Sequence, residues 1–259
     1  MDVKHYLERI HYHGAPQRDL ATLHALQRAH LHALPFENLS IHYRQPVILE
    51  QEGLFRKLIH NRRGGMCYEL NGLFAGLLRE LGFDVTLIAA EVAAPHGVFG
   101  PAFDHMALLV QLDEVYLVDV GFGDSFQAPL RLGARGEQDQ GEAAYRIDVE
   151  GDYHVLSRTP QRRSRGDPAS AMQVQYRFTP TPRALADFKP MCDYHQSSPA
   201  SHFTQKRICS RATALGRVSI SDMRLIITRK GVREESALAS EAQFLRAIEE
   251  HCGICLEAI

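Results

Sequence analysis

Three residues in this chain have the types and the order needed for nucleophilic catalysis: Cys67, His105 and Asp119. A thiolate is a nucleophile, an imidazole can take its proton, and a carboxylate can hold that imidazole in one tautomer and stabilise its charged form. Cys67 lies in Arg62-Arg63-Gly64-Gly65-Met66-Cys67-Tyr68-Glu69-Leu70-Asn71-Gly72-Leu73-Phe74. Leu70, Leu73, Phe74, Leu77, Leu78 and Leu81 then recur at helical spacing, and Gly82 stands where a C-cap glycine belongs. The spacing predicts a helix with Cys67 in its first turn, where free N–H groups and the helix dipole favour a thiolate. Gly64 and Gly65 remove two side chains in front of it, so a substrate or another backbone can come close. On these residues alone a structural cysteine behind a capping loop fits equally well, because free Cys is among the most buried residue types.

His105 to Leu112 and Val115 to Val120 are apolar runs separated only by Asp113-Glu114, a tight hairpin signal. His105 opens the first strand and Asp119 lies near the end of the second. A turn at Asp113-Glu114 pairs His105 near Phe122. Strict alternation in that register puts His105 and Asp119 on opposite faces; a one-residue shift or a bulge puts them on the same face. A buried acid in an apolar strand is costly unless paired, and an imidazole is a good partner. As a pair they read more simply as a turn cap and a loop-end histidine. With Cys67, an ordered Cys–His–Asp set is the better account.

The elements that must position these groups follow from periodicity and punctuation. Helices are predicted from an Asp2 cap to about His11, from Leu20 to Ala33 and from Glu52 to Ile59, with Pro35 to Leu39 as a turn between the last two. After Gly82 the period becomes that of strands. Val85 to Val92 is a strand, Ala93 to Asp104 a loop, and Ala144 to Val149 with Tyr153 to Ser157 a second hairpin. Gln161 to Ser170 reads as a polar loop and Met172 to Phe178 as a strand. A helical start at Pro182 to Met191, a strand at Met223 to Thr228 and a helix capped by Ser240 complete the chain. Helices, then strands, then a mixture indicate an α+β protein.

The 259 residues carry a net charge of -2 and no Trp. This balance gives no basic excess for nucleic acid. No apolar run reaches the roughly 18 residues of a transmembrane helix, and Met1 to Tyr6 lacks the apolar core of a signal peptide. The five scattered cysteines read as reduced thiols of a cytoplasmic protein, with Cys192 and Cys209 buried. Cys252-Gly253-Ile254-Cys255 has no second pair to complete a metal site, and no phosphate-binding glycine fingerprint is present.

Together these motifs resemble the arylamine N-acetyltransferase family. That family carries Arg-Gly-Gly-x-Cys before a helix with an early Asn, a downstream His, and Asp-Val-Gly-Phe-Gly. Here these are Arg63 to Cys67, Asn71-Gly72, His105, and Asp119 to Gly123. Pro35-Phe36-Glu37-Asn38-Leu39, Ser198-Pro199-x-Ser201-x-Phe203-Thr204 and Cys209-Ser210-Arg211-Ala212-Thr213 match further segments. Asp104 departs from the small polar residue found before the histidine in many members; a carboxylate there could raise the His105 pKa or alter acceptor choice.

The resemblance implies an α+β fold around a cysteine-protease-like catalytic core. An N-terminal helical bundle (1–83) would carry the nucleophile, a central antiparallel β-barrel-like domain (84–188) the His and Asp, and a C-terminal α/β lid (189–259) would follow. Cys67 would be the nucleophile, His105 the base and Asp119 the orienting acid. Acetyl-CoA would acylate Cys67, and an arylamine or hydrazine would attack the thioester in a ping-pong cycle, with O-acetylation of N-hydroxyarylamines as a related activity in xenobiotic metabolism. Glu37 and Arg63 would form an ion pair bracing the catalytic loop. Phe36 and Phe122 would line the acceptor pocket, where flat stacking suits an aryl ring. The Gly97 to Asp104 loop would border the donor cleft. Cations must meet the CoA phosphates, and Arg162, Arg163, Arg165, Lys206, Arg207 and Arg211 are the candidates. The implied partners are coenzyme A and a small aromatic amine or hydrazine, with no metal, nucleic acid or membrane. The alternatives are a cysteine hydrolase of peptidase or transglutaminase-like type, and an amide synthase using the same triad.

Overall fold

The computed structural model describes residues 1–141, 143–159 and 172–256, so the polar loop expected at Gln161 to Ser170 lies outside the described residues. Helix α1 (Val3–Arg9) starts where the Asp2 carboxylate accepts from His5 N–H at 3.1 Å. Helix α2 (Leu20–Ala33) starts where Asp19 does the same for Thr22 at 2.8 Å. Pro35 to Leu39 is more than the expected turn. It holds strand β1 (Phe36–Glu37) and leads into helix α3 (Leu39–His42). Its partner strand lies far down the chain, so no local pattern announces it. Helix α4 (Gln51–Phe55) runs into a π turn at Arg56–His60. Helix α5 (Cys67–Glu80) ends before Gly82, whose φ of +83° suits glycine.

The middle of the chain forms β2 (Asp84–Val92), β3 (His105–Gln111), β4 (Val115–Val118), β5 (Leu130–Arg131), β6 (Gln138–Asp139), β7 (Ala144–Glu150), β8 (Tyr153–Arg158) and β9 (Gln173–Phe178). These make one antiparallel sheet in the order β5-β4-β3-β2-β9-β8-β7-β6. Its two edge strands are joined through a side chain. The Gln138 amide accepts from Arg131 N–H at 2.8 Å and donates to Arg131 C=O at 3.0 Å, standing in for a backbone pair. The sheet is thereby curled into a barrel-like form with its edges engaged.

The last third contains α6 (Lys189–Ser197), α7 (His202–Gln205), β10 (Ile208–Thr213), β11 (Gly216–Ser221), β12 (Arg224–Arg229), β13 (Val232–Ala237) and α8 (Glu241–Cys252). Strand β1 pairs with β10, Phe36 opposite Ser210, to give a second sheet in the order β1-β10-β11-β12-β13. Of these five strands only β12 is legible by pattern. β13 is exposed along its whole length, so its residues show no apolar alternation. Helix α8 covers this sheet through Phe244, Ala247 and Ile248, packed with Leu39, Cys209 and Ile220.

Strand β3 separates two larger cores. Met106, Leu108 and Val110 face the helices, against Leu70, Leu73, Phe74 and Leu77 of α5. Ala107 and Leu109 face the barrel interior, with Phe126, Leu156, Tyr176 and Phe178. The cysteine helix is thus bedded on the outer face of the strand that begins with His105.

The loop before Cys67 is held from several sides. Arg9, buried, donates to the carbonyls of Ala33 at 3.0 Å and Leu58 at 3.3 Å. Arg63 pairs with Glu37 at 2.8 Å, and both are buried. The other Glu37 oxygen accepts from Leu39 N–H at 2.6 Å. Burial works against the Glu37 charge, but Lys57, Arg63 and these hydrogen bonds hold its carboxyl below the usual range. The glycine pair admits this packing, the close approach of another backbone that was one of the two uses expected for it. A Cβ on Gly64 would meet Pro35 C=O at 2.1 Å, and one on Gly65 would meet Glu69 Oε2 at 2.7 Å. Gly64→Ala must therefore displace backbone. It is expected to cost about 2 kcal/mol or more in chemical denaturation, whereas Gly133→Ala, with open space around it, stays within about 0.5 kcal/mol.

Candidate active site

Cys67 is the first residue of α5, and its neighbours explain its position. Met66 N–H donates to Glu69 Oε2 at 3.0 Å, and Glu69 Oε1 accepts from Lys57 at 2.7 Å. This closes the helix start from one side. Gly121 closes it from the other, where a Cβ would come within 2.7 Å of Cys67 Cα. The Cys67 residue is 5% exposed.

His105 and Asp119 face each other because the hairpin turns one residue differently from the simplest expectation. Gln111 pairs with Val115, leaving Leu112, Asp113 and Glu114 as the turn. Continuing the observed register places Asp119 opposite Ala107, two residues from His105 and so on the same face. His105 Nε2 lies 2.7 Å from Asp119 Oδ2. That leaves Nδ1 as the nitrogen available to Cys67, which lies close enough to the same ring to help raise its pKa. The sequence-expected Cys67, His105 and Asp119 are thus brought into one contact set, all at 5% exposure or less.

The Asp119 carboxylate is saturated. Oδ2 also accepts from Tyr176 O–H at 3.2 Å, while Oδ1 accepts from Gly121 N–H at 2.8 Å and Asn71 Nδ2 at 3.0 Å. Asn71 also donates to Met106 C=O at 2.7 Å and accepts from Val120 N–H at 2.9 Å. It sits one turn after Cys67, a spacing that puts both on one helix face and so was readable in the sequence. Tyr176 comes from β9 and had no such signal.

Electrostatics follow from this geometry. Burial opposes a charge on His105, but the Asp119 charge, its hydrogen bond and the Cys67 contact outweigh it and raise the imidazole to about 10. Burial likewise opposes the Asp119 charge, yet His105, Asn71 and Gly121 N–H hold its carboxyl below the usual range.

The remaining expected residues divide. Phe122 is half-buried, its ring 5.1 Å from His105 edge-on and 5.2 Å from Tyr176. Phe36 is half-buried against Phe203 at 5.9 Å, and its backbone bridges Gly65. Glu37 and Arg63 pair as described. Asp104 does not turn to His105 but lies 3.1 Å from His195. Arg207 is committed to Glu241 at 2.6 Å and lies 3.7 Å from the Phe244 ring centroid, and Arg211 donates to the carbonyls of His32 and His251. Lys206 is exposed, and Arg162, Arg163 and Arg165 lie outside the described residues. The described cysteines are all free; Cys192 and Cys209 are buried, as is Cys252, while Cys255 is exposed.

The family described as N-acetyltransferase matches residues 19–259. An arylamine N-acetyltransferase of Mycolicibacterium smegmatis is 38% identical over 263 residues, covering 99% of this chain and 93% of its own length. Human arylamine N-acetyltransferase 1 is 34% identical over 232 residues, covering 83% and 79%. The structure of Mycobacterium marinum arylamine N-acetyltransferase in complex with CoA superposes with a TM-score of 0.89 at 34% identity, covering 98% of this chain and 93% of that one.

The His105 shift ties stability to pH. A raised folded pKa gives stability that is complete below the ordinary value of 6.5 and is lost as pH rises through about 10. Asp119→Asn removes the charge behind it. In urea denaturation the variant should lose less stability than the parent between about pH 7 and about pH 10. An equal loss in both would break the link between Asp119 and His105.

Proposed function

Because this chain belongs to the arylamine N-acetyltransferase family, we propose that it carries an acetyl group from acetyl-CoA to small aromatic amines and hydrazines through an acetyl-cysteine at Cys67. The observation that carries this reading is the buried contact of Cys67, His105 and Asp119. The solved relative with bound CoA supports the choice of donor. With the proton of the Cys67–His105 pair already held on the imidazole, as its raised pKa requires, the Cys67 sulfur attacks the acetyl carbonyl. The acyl–sulfur bond to CoA breaks, and His105 returns the proton to the departing CoA sulfur. In the second half of the cycle the amine nitrogen attacks acetyl-Cys67. His105 takes the amine proton, the amide leaves, and Cys67 is restored. Asp119 keeps the imidazole oriented and stabilises its charged form. The oxyanion of each tetrahedral intermediate meets the backbone N–H of Cys67 at the start of α5, a position where helix N–H groups lack intrahelical acceptors.

In this reading residues 1–83 supply the nucleophile, 84–188 supply base and acid, and 189–259 form the lid of the cleft. Phe122 beside His105 and Phe36 beside Gly65 line the acceptor side. The Glu37–Arg63 pair braces the loop that leads into Cys67. The low exposure of the trio favours an amine over water as the attacker of the thioester. O-acetylation of N-hydroxyarylamines follows from the same acetyl-cysteine.

Mixing the protein with acetyl-CoA and no acceptor should add the mass of one acetyl group, and Cys67→Ala should abolish the gain. No adduct with any short acyl-CoA would sink the proposal. Asp119→Asn should stay folded yet acetylate Cys67 more slowly by about 10²-fold or more; an unchanged rate would remove Asp119 from the chemistry.

A further inference from the structure

Asp104 precedes His105 but its carboxylate points elsewhere. Oδ1 lies 3.1 Å from His195 Nε2, and His195 Nδ1 lies 3.1 Å from Ser201 Oγ. The Nε2 approach is close but without hydrogen-bond alignment. His195 and Ser201 are buried, and the Asp104 side chain is 17% exposed. Room for the carboxylate comes from Gly100, where a Cβ would meet Asp104 Oδ2 at 2.6 Å. The order acid, imidazole, hydroxyl repeats that of Asp119, His105 and Cys67, down to the use of Nε2 toward the acid. It is not a second nucleophilic centre. Ser201 Oγ is occupied as the cap of α7, accepting from Phe203 N–H at 3.3 Å, and it is closed to solvent.

What the trio joins is informative. The His195 ring stacks against Tyr68, the residue after Cys67, at 6.2 Å and 25°. The Tyr68 hydroxyl donates to Phe103 C=O at 2.8 Å and approaches Asp104 C=O at 3.3 Å. Phe103 has φ of +66°, a strained value for a bulky residue, and this bond helps to hold it there. On its other side His195 meets Phe203 edge-on at 5.0 Å, and Phe203 meets Phe36. One imidazole therefore touches the helix of the nucleophile, the entry to the strand of the base, and the aromatic wall on α7.

We propose that Asp104 and His195 are positioning residues for the second half-reaction: their contact, backed by Ser201, docks α6 and α7 on the entry to β3 and sets Phe203 against Phe36 on the acceptor side. The inference rests on the acetyl-transfer function proposed above. A partly buried carboxylate facing an imidazole is strongly oriented, and loss of either partner leaves the other unpaired in a site with little water. The wall then shifts while Cys67, His105 and Asp119, held by their own bonds, stay in place.

The test uses Asp104→Asn, His195→Gln and the double variant in the full chain. Acetylation of Cys67 by acetyl-CoA without acceptor is followed by intact mass, and KM for an aniline is measured in turnover. Acetylation should remain within about twofold of the parent, while the aniline KM rises about tenfold. The double variant should be no worse than either single one, because both break the same contact. Gly100→Ala, which pushes Oδ2 without changing charge, should reproduce the KM change even if Asp104→Asn folds poorly. Acetylation that slows in step with turnover would assign Asp104 to the His105 charge and overturn the proposal, as would an unchanged KM. A parent protein that is not acetylated at all fails the proposed function itself, a separate outcome from an acetylated parent whose variants keep its KM.

Discussion

A single carboxylate, removed from water and saturated with donors, governs the architecture of the site. Asp119 receives His105 from the start of β3, Asn71 from α5, Gly121 from its own turn and Tyr176 from β9. A buried charge with a missing partner costs about 3–5 kcal/mol, so each of these four groups is under strong constraint. The arrangement also explains why the helical core and the barrel cannot slide past one another. Asn71 belongs to one and Tyr176 to the other, and each grips one oxygen of the same carboxylate, Oδ1 and Oδ2 respectively. The carboxylate is thus a polar rivet between two apolar cores, set beside Cys67.

The features legible in the sequence are those with local causes. Helix α2 is found from Leu20 to Ala33 because Asp19 caps it and Pro35 follows it closely. Helix α5 is found because its leucines keep period and Gly82 ends it. Both hairpins are found because their apolar runs are punctuated by acids and glycine. What local pattern could not supply is the turn length between β3 and β4. One residue more in the turn moves Asp119 from one face to the other, and only tertiary packing selects it. Tyr176, 57 positions from Asp119, is invisible for the same reason.

Some residues change meaning once their neighbours are known. The glycine pair before Cys67 left room for a substrate or another backbone, and the neighbours it admits are Pro35 C=O and the Glu69 side chain. Asp104 looked like a modifier of His105, and its carboxylate faces His195. Arg207 and Arg211 looked free for phosphate, and they bolt the second sheet to Glu241, His32 and His251. In each case residue type was read correctly while the partner, far off in sequence, decided the role.

The pairing of β1 with β10 reaches beyond geometry into the order in which the molecule is made. Asn38, just after β1, donates to Phe203 C=O and Lys206 C=O and accepts from Ile208 N–H, across as many as 170 positions. Contacts of such separation form late, after the loop-closure entropy has been met. During synthesis the cysteine, histidine and aspartate emerge before α7 and β10 exist to be paired. A growing chain on the ribosome therefore presents Cys67, His105 and Asp119 while the partners of β1 and Asn38 are still to be made.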